Sequence, residues 1–258
     1  MCLLVLSHGT HESYRLVFAG NRDEFHARPA QAAHWWPEAP AILAGRDLEA
    51  GGTWLGITAE GRFAVVTNYR ETKPKPLREA PSRGHLVTAF LQGHGTAYEF
   101  ASTLHSIGDR YRGFSLIVGD GAELWFVSNR DGTPKPLGAG IYGLSNDLLD
   151  EPWPKVVLAK ERLARLLTRD VAIDDLLELL DDRGSRGRPS TEADEPGIER
   201  ALESIFVETP RYGTRCSTAI TIARGGAVEF AERSFDAQGN RTGEARFEFR
   251  VPTRGPLQ

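Results

Sequence analysis

The chain has little of what several specialised folds require. Only two cysteines occur in 258 residues, Cys2 and Cys216. Two thiols can neither staple a small disulfide fold nor complete a metal-ligand cluster. No apolar run approaches the roughly 18 residues that span a bilayer. MCLLVLS has neither the basic n-region nor the h-region length of a signal peptide. There is no basic excess: 31 Lys and Arg stand against 35 Asp and Glu, for a net charge of −4. That argues against a nucleic-acid partner. No G-x-G-x-x-G follows a strand pattern and no P-loop occurs, so nucleotide-binding readings fail. The absence of C-x-x-C-H excludes covalent haem attachment. Repeats and low-complexity tracts are also missing. The expectation is one cytoplasmic domain spanning residues 1–258, with no transmembrane segment and no metal required for catalysis.

What is present is hairpins, with helices inserted between them in pairs. Cys2 to Leu6 and Tyr14 to Ala19 read as an N-terminal hairpin ending at GNRDEF, residues 20–25. A loop follows with Pro29, Pro37 and Pro40, holding Trp35 and Trp36. GGTWLGIT and FAVVTNYR make a second hairpin, and residues 71–84 are too proline-rich for a regular element. Ser82 caps a helix to about Gln92, and Thr96 with Glu99 forms a capping box for another ending near Ile107. FSLIVG and ELWFVS give a third hairpin, with a short strand at GIYGLS. Trp153 to Thr168 has helical spacing, with Lys155, Lys160, Arg162 and Arg165 expected on a solvated face. A second helix carries Leu176, Leu177, Leu179 and Leu180. Residues 181–196 form a polar surface loop, and three strands end the chain. This order is α+β with antiparallel sheets, not an alternating Rossmann pattern.

Cys2 is the first candidate for chemistry. Removal of Met1 puts a thiol and a free α-amine on one residue. The amine, with a pKa of roughly 7.7–8.0, accepts a proton near neutrality, and the thiol at about 8.5 needs little help to ionise. The hairpin returns Asn21, Arg22, Asp23 and Glu24 towards Cys2. A carboxylate there can hold the ammonium, and a guanidinium favours the thiolate. Asn68 and Asn146 stand at strand ends, where side-chain amides can donate to an oxyanion. The histidines include His26 just after the motif, His85 in a helix, and His8 and His11 in the first hairpin turn, the last two expected to face water. Trp35, Trp36, Trp54 and Phe25 are candidates to line an apolar slot.

MCLLVLS, NRDEF with Arg28-Pro29, GGTWLGIT, TNYR, RGHLVTAFL, YGLSN, PWPK, YGTRCST and ERSF together resemble the NRDE-motif family, also called the transport and Golgi organization protein 2 family. The resemblance runs from Met1 to about Phe249. It implies an N-terminal-nucleophile hydrolase fold, an αββα sandwich of two stacked antiparallel sheets between helical layers. It also implies a role in moving haem within cells, with haem as non-covalent cargo, and links to acyl-CoA handling. A more distant resemblance runs to choloylglycine hydrolases and penicillin V acylases, whose F-G-R-N-x-D is similar to Phe18–Asp23. It implies Cys2 as nucleophile, Asp23 as holder of the amine, Asn68 and Asn146 as oxyanion donors, and Arg215 as a distal arginine. The amidases' arginine in that segment is Gly20 here, with Arg22 two residues later on the same strand face. Three readings stand together. The first is a haem carrier using Asn21, Arg22, Asp23, Glu24 and His26. The second is an N-terminal cysteine amidase or thioesterase. The third is an acyl-CoA or protein-binding module without activity.

Overall fold

The computed structural model describes residues 2–71, 80–183 and 203–253. Met1, residues 72–79 of the proline-rich stretch and residues 184–196 of the polar loop lie outside the described residues. The strands begin with β1 (Cys2–His8), β2 (Tyr14–Phe25), β3 (Ala30–Trp36), β4 (Ala39–Asp47), β5 (Leu55–Thr58) and β6 (Phe63–Asn68). Helices α1 (Gly84–Gln92) and α2 (Ala97–Ile107) follow, then β7 (Phe114–Gly119), β8 (Leu124–Ser128), β9 (Lys135–Pro136) and β10 (Gly140–Leu144). The last part holds α3 (Pro154–Leu166), α4 (Ile173–Leu180), β11 (Tyr212–Ala223), β12 (Ala227–Phe235) and β13 (Arg241–Arg250). No helix among the described residues is long and apolar enough to cross a membrane.

The chain forms two compact units interleaved in sequence. The first holds residues up to Pro29, then Ala139–Ser145 and Asp150–Glu248; the second holds Ala30–Gly138, Asn146–Leu149 and the chain from Phe249 on. In the first unit the strand order is β10-β1-β2-β11-β12-β13, all antiparallel. Alternation sends Leu3, Val5, Val17, Ala19, Ala219 and Ala231 into one core with Val156, Ala159 and Leu163 of α3 and the leucines of α4. Helix α3 starts with Pro154 in its first turn, where the missing N–H costs nothing. The polar residues of NRDE do not end a strand. β2 runs on to Phe25 because β11 pairs with it from Tyr212 to Ala223 and satisfies its outer edge.

In the second unit the order is β3-β4-β5-β6-β7-β8-β9, with α1 and α2 packed on Ile42, Ala44, Ala64, Val66, Leu116 and Val118. The T-x-x-E capping box of α2 is complete, with Thr96 accepting from Glu99 and Glu99 accepting from Thr96. Ser82 does not cap α1 as expected. The helix begins two residues later, and the Ser82 hydroxyl accepts from the Gly84 N–H at 3.3 Å. The expected loop with Trp35 and Trp36 is instead β3 and β4. Its prolines sit before the first strand, in the turn and at the start of the second, where a missing donor is tolerated.

Candidate functional site

The first unit gathers its reactive side chains at one end of its sheet. In the β1–β2 hairpin Cys2 stands opposite Arg22, and on the other side of β2 Cys216 stands opposite the same Arg22. Directly opposed residues share a face. Cys2, Arg22 and Cys216 therefore form a row across three strands, and neither thiol is in a disulfide. Two strand spacings, about 10 Å, separate the two cysteine backbones, too far to bridge. Arg22 also lies 3.8 Å from Glu24, whose carboxylate accepts from the Phe25 N–H. Gly20, two residues before Arg22, shares that face and has no room for a side chain. An added Cβ would lie 2.8 Å from the Phe18 ring and 3.1 Å from the Leu3 carbonyl. The amidase arginine position is thus closed by Phe18, and the cation of this face comes from Arg22.

Asn21 and Asp23 alternate to the opposite face, towards the helices. The Asp23 carboxylate accepts from the Thr214 hydroxyl at 2.7 Å, and the Tyr212 hydroxyl donates to its carbonyl at 2.7 Å. The Thr214 hydroxyl also accepts from the Val207 N–H, so it is fixed on both sides. Lys155, in the first turn of α3, is 1% exposed. This corrects the expectation that Lys155 belongs to a solvated face. Lys160 and Arg162 do face outward, on Asp150 and Asp182. Lys155 turns inward because the first turn of α3 lies over the sheet end that carries Asp23.

The electrostatics follow from burial. Desolvation pushes the Asp23 carboxyl up to about 6, against the pull of Lys155, Thr214 and Arg22. Burial likewise raises the Cys2 thiol, and the Asp23 charge adds to it. The Asp23 main-chain N–H bonded to the sulfur, and the Arg22 guanidinium, pull it back. The Lys155 ammonium is pushed down by burial and held up by Asp23 and Cys2. Cys216 lies well above the ordinary thiol range, through desolvation first and then the neighbouring Glu232 carboxylate, which also accepts from Thr218 at 3.1 Å. The Asp23 carboxyl, poised at about 6 beside the Cys2 thiol, is what proton-handling chemistry needs.

Several expected site residues are placed elsewhere. The Asn21 amide is spent on structure: Nδ2 donates to the Leu180 and Ile205 carbonyls at 3.0 and 2.9 Å, and Oδ1 accepts from Ser217 at 2.6 Å. Arg215 occupies a bulge in β11, and its guanidinium donates to the Phe25, His26 and Arg28 carbonyls, tying down that loop. The cation beside Cys2 is Arg22. His26 Nε2 lies 2.9 Å from the Thr209 carbonyl, and His85 Nε2 2.6 Å from that of Ala50. His11 is buried on the Arg169 carbonyl and the Ser13 N–H, not facing water, because the Tyr14 ring packs against it. Trp36 is buried in the core of the second unit with its Nε1 on Ala44, while Phe25 is exposed beside Tyr212. Within the second unit, Asn146 and Asn68 do come together: Asn146 Nδ2 donates to the Asn68 carbonyl at 2.8 Å. Ser145, one residue earlier, donates to the Cys2 carbonyl at 2.9 Å. Tyr212 and Thr214 were not singled out in the sequence, and Lys155 was expected on a solvated face. Period-two spacing of Tyr212 and Thr214 in YGTR was the only signal, and it does not reveal which strand they face. No group of three or more metal-ligating side chains occurs among the described residues.

The family model for Transport and Golgi organisation 2 matches residues 1–237. The chain belongs to this family. The Transport and Golgi organization protein 2 homolog of Bos taurus is 38% identical over 242 residues, covering 86% of this chain and 87% of the relative. The Homo sapiens homolog is 37% identical over 243 residues, with the same coverage of each chain. Transport and Golgi organization protein 2 of Drosophila melanogaster is 26% identical over 245 residues, 86% of each. Among solved structures, the Caenorhabditis elegans N-acylethanolamine-hydrolyzing acid amidase ortholog matches with a TM-score of 0.52 at 10% identity, covering 85% of this chain and 92% of that one. At that identity the likeness is one of fold. The chain is α+β with the N-terminal-nucleophile hydrolase fold.

Proposed function

We propose that this chain is an N-terminal-nucleophile hydrolase in which Cys2 attacks the carbonyl of an acyl amide or thioester. The observation that carries the reading is the sheet end itself. It holds one buried thiol, a guanidinium opposite it on the same face, and on the next residue a carboxylate with a pKa of about 6. Loss of Met1 exposes the Cys2 α-amine, which takes the thiol proton. The thiolate sulfur then bonds to the carbonyl carbon, and the C=O pair moves to oxygen opposite the Arg22 charge. Collapse of the oxyanion breaks the C–N or C–S bond, and the ammonium protonates the leaving amine or thiolate. Water, deprotonated by the same amine, hydrolyses the acyl-thioester on Cys2 and restores the thiol. Asp23 holds the amine in place through each transfer.

The test is acylation. Purified chain is incubated with long-chain acyl-CoA and with fluorogenic acyl amides, and then read by intact mass and peptide mapping. Met1 is absent from the bulk protein, an acyl adduct appears on the Cys2 peptide, and Cys2→Ala carries none. Retained Met1, or equal turnover by Cys2→Ala, would sink the proposal.

A second reading, a cytosolic carrier of haem or a similar flat amphipathic ligand, is favoured by one observation. The arginine position of the amidases is the closed Gly20. A cation shifted to Arg22 suits ground-state pairing with a ligand carboxylate better than it suits a preorganised transition state. The relatives' names speak of transport, and two thiols outside any disulfide suit a reducing compartment. Saturable Soret titration, weakened in Arg22→Ala and accompanied by no acyl adduct, would put this reading first.

A further inference from the structure

Lys155 is hard to account for by packing alone. It is a residue of the first turn of α3, buried to 1% exposure, and its Nζ has no hydrogen-bond partner among the described residues. An ammonium there meets the positive end of the helix dipole and loses its water, a cost of several kcal/mol in a protein interior. A leucine or methionine would fill the space without that cost. The groups whose charge bears on it are few. β2 contributes Asp23 and β1 contributes Cys2. The amino-terminal charge of the chain, Arg22 of β2 and the Thr214 hydroxyl of β11 also act on Asp23. On the helices, Lys160 and Arg162 of α3 are engaged with Asp150 and Asp182, and Asp181 beyond α4 with Arg183.

We propose that Lys155 is a positioning residue for the Cys2 nucleophile: its buried ammonium is the counter-charge that keeps Asp23 a carboxylate able to hold the Cys2 amine. The role of Asp23 as holder of the amine rests on the hydrolase reading; the charge pairing does not. Each member supports the other's charged form against burial. Without Lys155, Asp23 binds its proton more tightly, and its hold on a cation near neutral pH weakens. The amine then loses its orientation, although Lys155 itself touches no substrate.

The experiment is read on the resting full-length chain. With 13C-labelled aspartate, the Asp23 carboxyl signal, assigned by its loss in Asp23→Asn, is titrated in wild type and in Lys155→Met. The wild-type midpoint near 6 should rise by about one pH unit or more in the variant, a roughly tenfold gain in proton affinity. Asp23→Asn should also raise the melting temperature more in the Lys155→Met background than in wild type. An unchanged midpoint in folded Lys155→Met, or equal gains in both backgrounds, overturns the proposal. Should Lys155→Met not fold at neutral pH, the Lys155→Met/Asp23→Asn variant, which leaves no lone charge, must fold; its failure overturns the proposal as well. A chain that forms no acyl adduct yet shows the shifted titration supports the pairing and sinks the hydrolase reading alone.

Discussion

Replacing Asp23 by asparagine should make the protein more stable at neutral pH and no more stable in acid. Asp23 is buried, and its carboxyl is raised from 3.8 to about 6, chiefly by desolvation. The folded chain therefore binds this proton more tightly than the unfolded chain. Stability from this group is greatest below 3.8 and falls as pH rises to about 6, beyond which the deficit is complete. Two pH units correspond to about 3 kcal/mol. Asparagine keeps an oxygen to accept from Thr214 and removes the charge. Asp23→Asn should thus gain about 3 kcal/mol at pH 7.5, or about 6–12 °C in melting temperature for a chain of this size. Urea unfolding of both proteins at pH 7.5 and pH 4 measures this, and the difference should shrink towards zero at the lower pH. A variant less stable than wild type at pH 7.5, or a difference that ignores pH, would refute the desolvation argument. The same substitution should abolish Cys2 acylation, since a fold that keeps an expensive carboxylate does so for its chemistry.

Asn21→Leu should cost about 3–5 kcal/mol in urea unfolding, because it strands the Leu180 and Ile205 carbonyls and the Ser217 hydroxyl in the core; a loss under about 1 kcal/mol would mean that the amide is not the tie between β2 and the helix layer. Gly20→Ala should cost about 1–3 kcal/mol through its contact with the Phe18 ring, and Phe18→Leu in the same chain should recover most of it by calorimetry. Arg215→Ala should speed amide hydrogen exchange across residues 25–28, whose carbonyls it binds, and leave the rate of Cys2 alkylation unchanged; a slowed alkylation would return Arg215 to the site.

The sequence by itself determined the local elements and the chemistry on offer. Alternating apolar residues made β1 and β2 a hairpin, and hairpin closure alone brings Arg22 opposite Cys2. Thr96 and Glu99 announced the start of α2, since a capping box needs no distant partner. The ordered motifs from MCLLVLS to ERSF carried the family, and with it the fold. Proline spacing misled at residues 30–47, where β3 and β4 form because strand pairing outweighs isolated breakers at strand starts and turns. Tertiary structure decided everything that depends on which strand lies beside β2. That strand is β11, almost 200 residues away, and its register delivers Thr214 to Asp23 and Cys216 to Arg22. The bulge in the same strand turns Arg215 away to the 25–28 loop. Asn21 and Asp23 look alike in the NRDE motif, yet one is consumed by the Leu180 and Ile205 carbonyls and the other is left poised at about 6. Lys155 reads as one charge on an amphipathic helix, and only the docking of α3 onto the sheet buries it. Local periodicity reports which face a residue takes on its own element; what that face meets is set by pairings between distant segments, which no stretch of sequence contains.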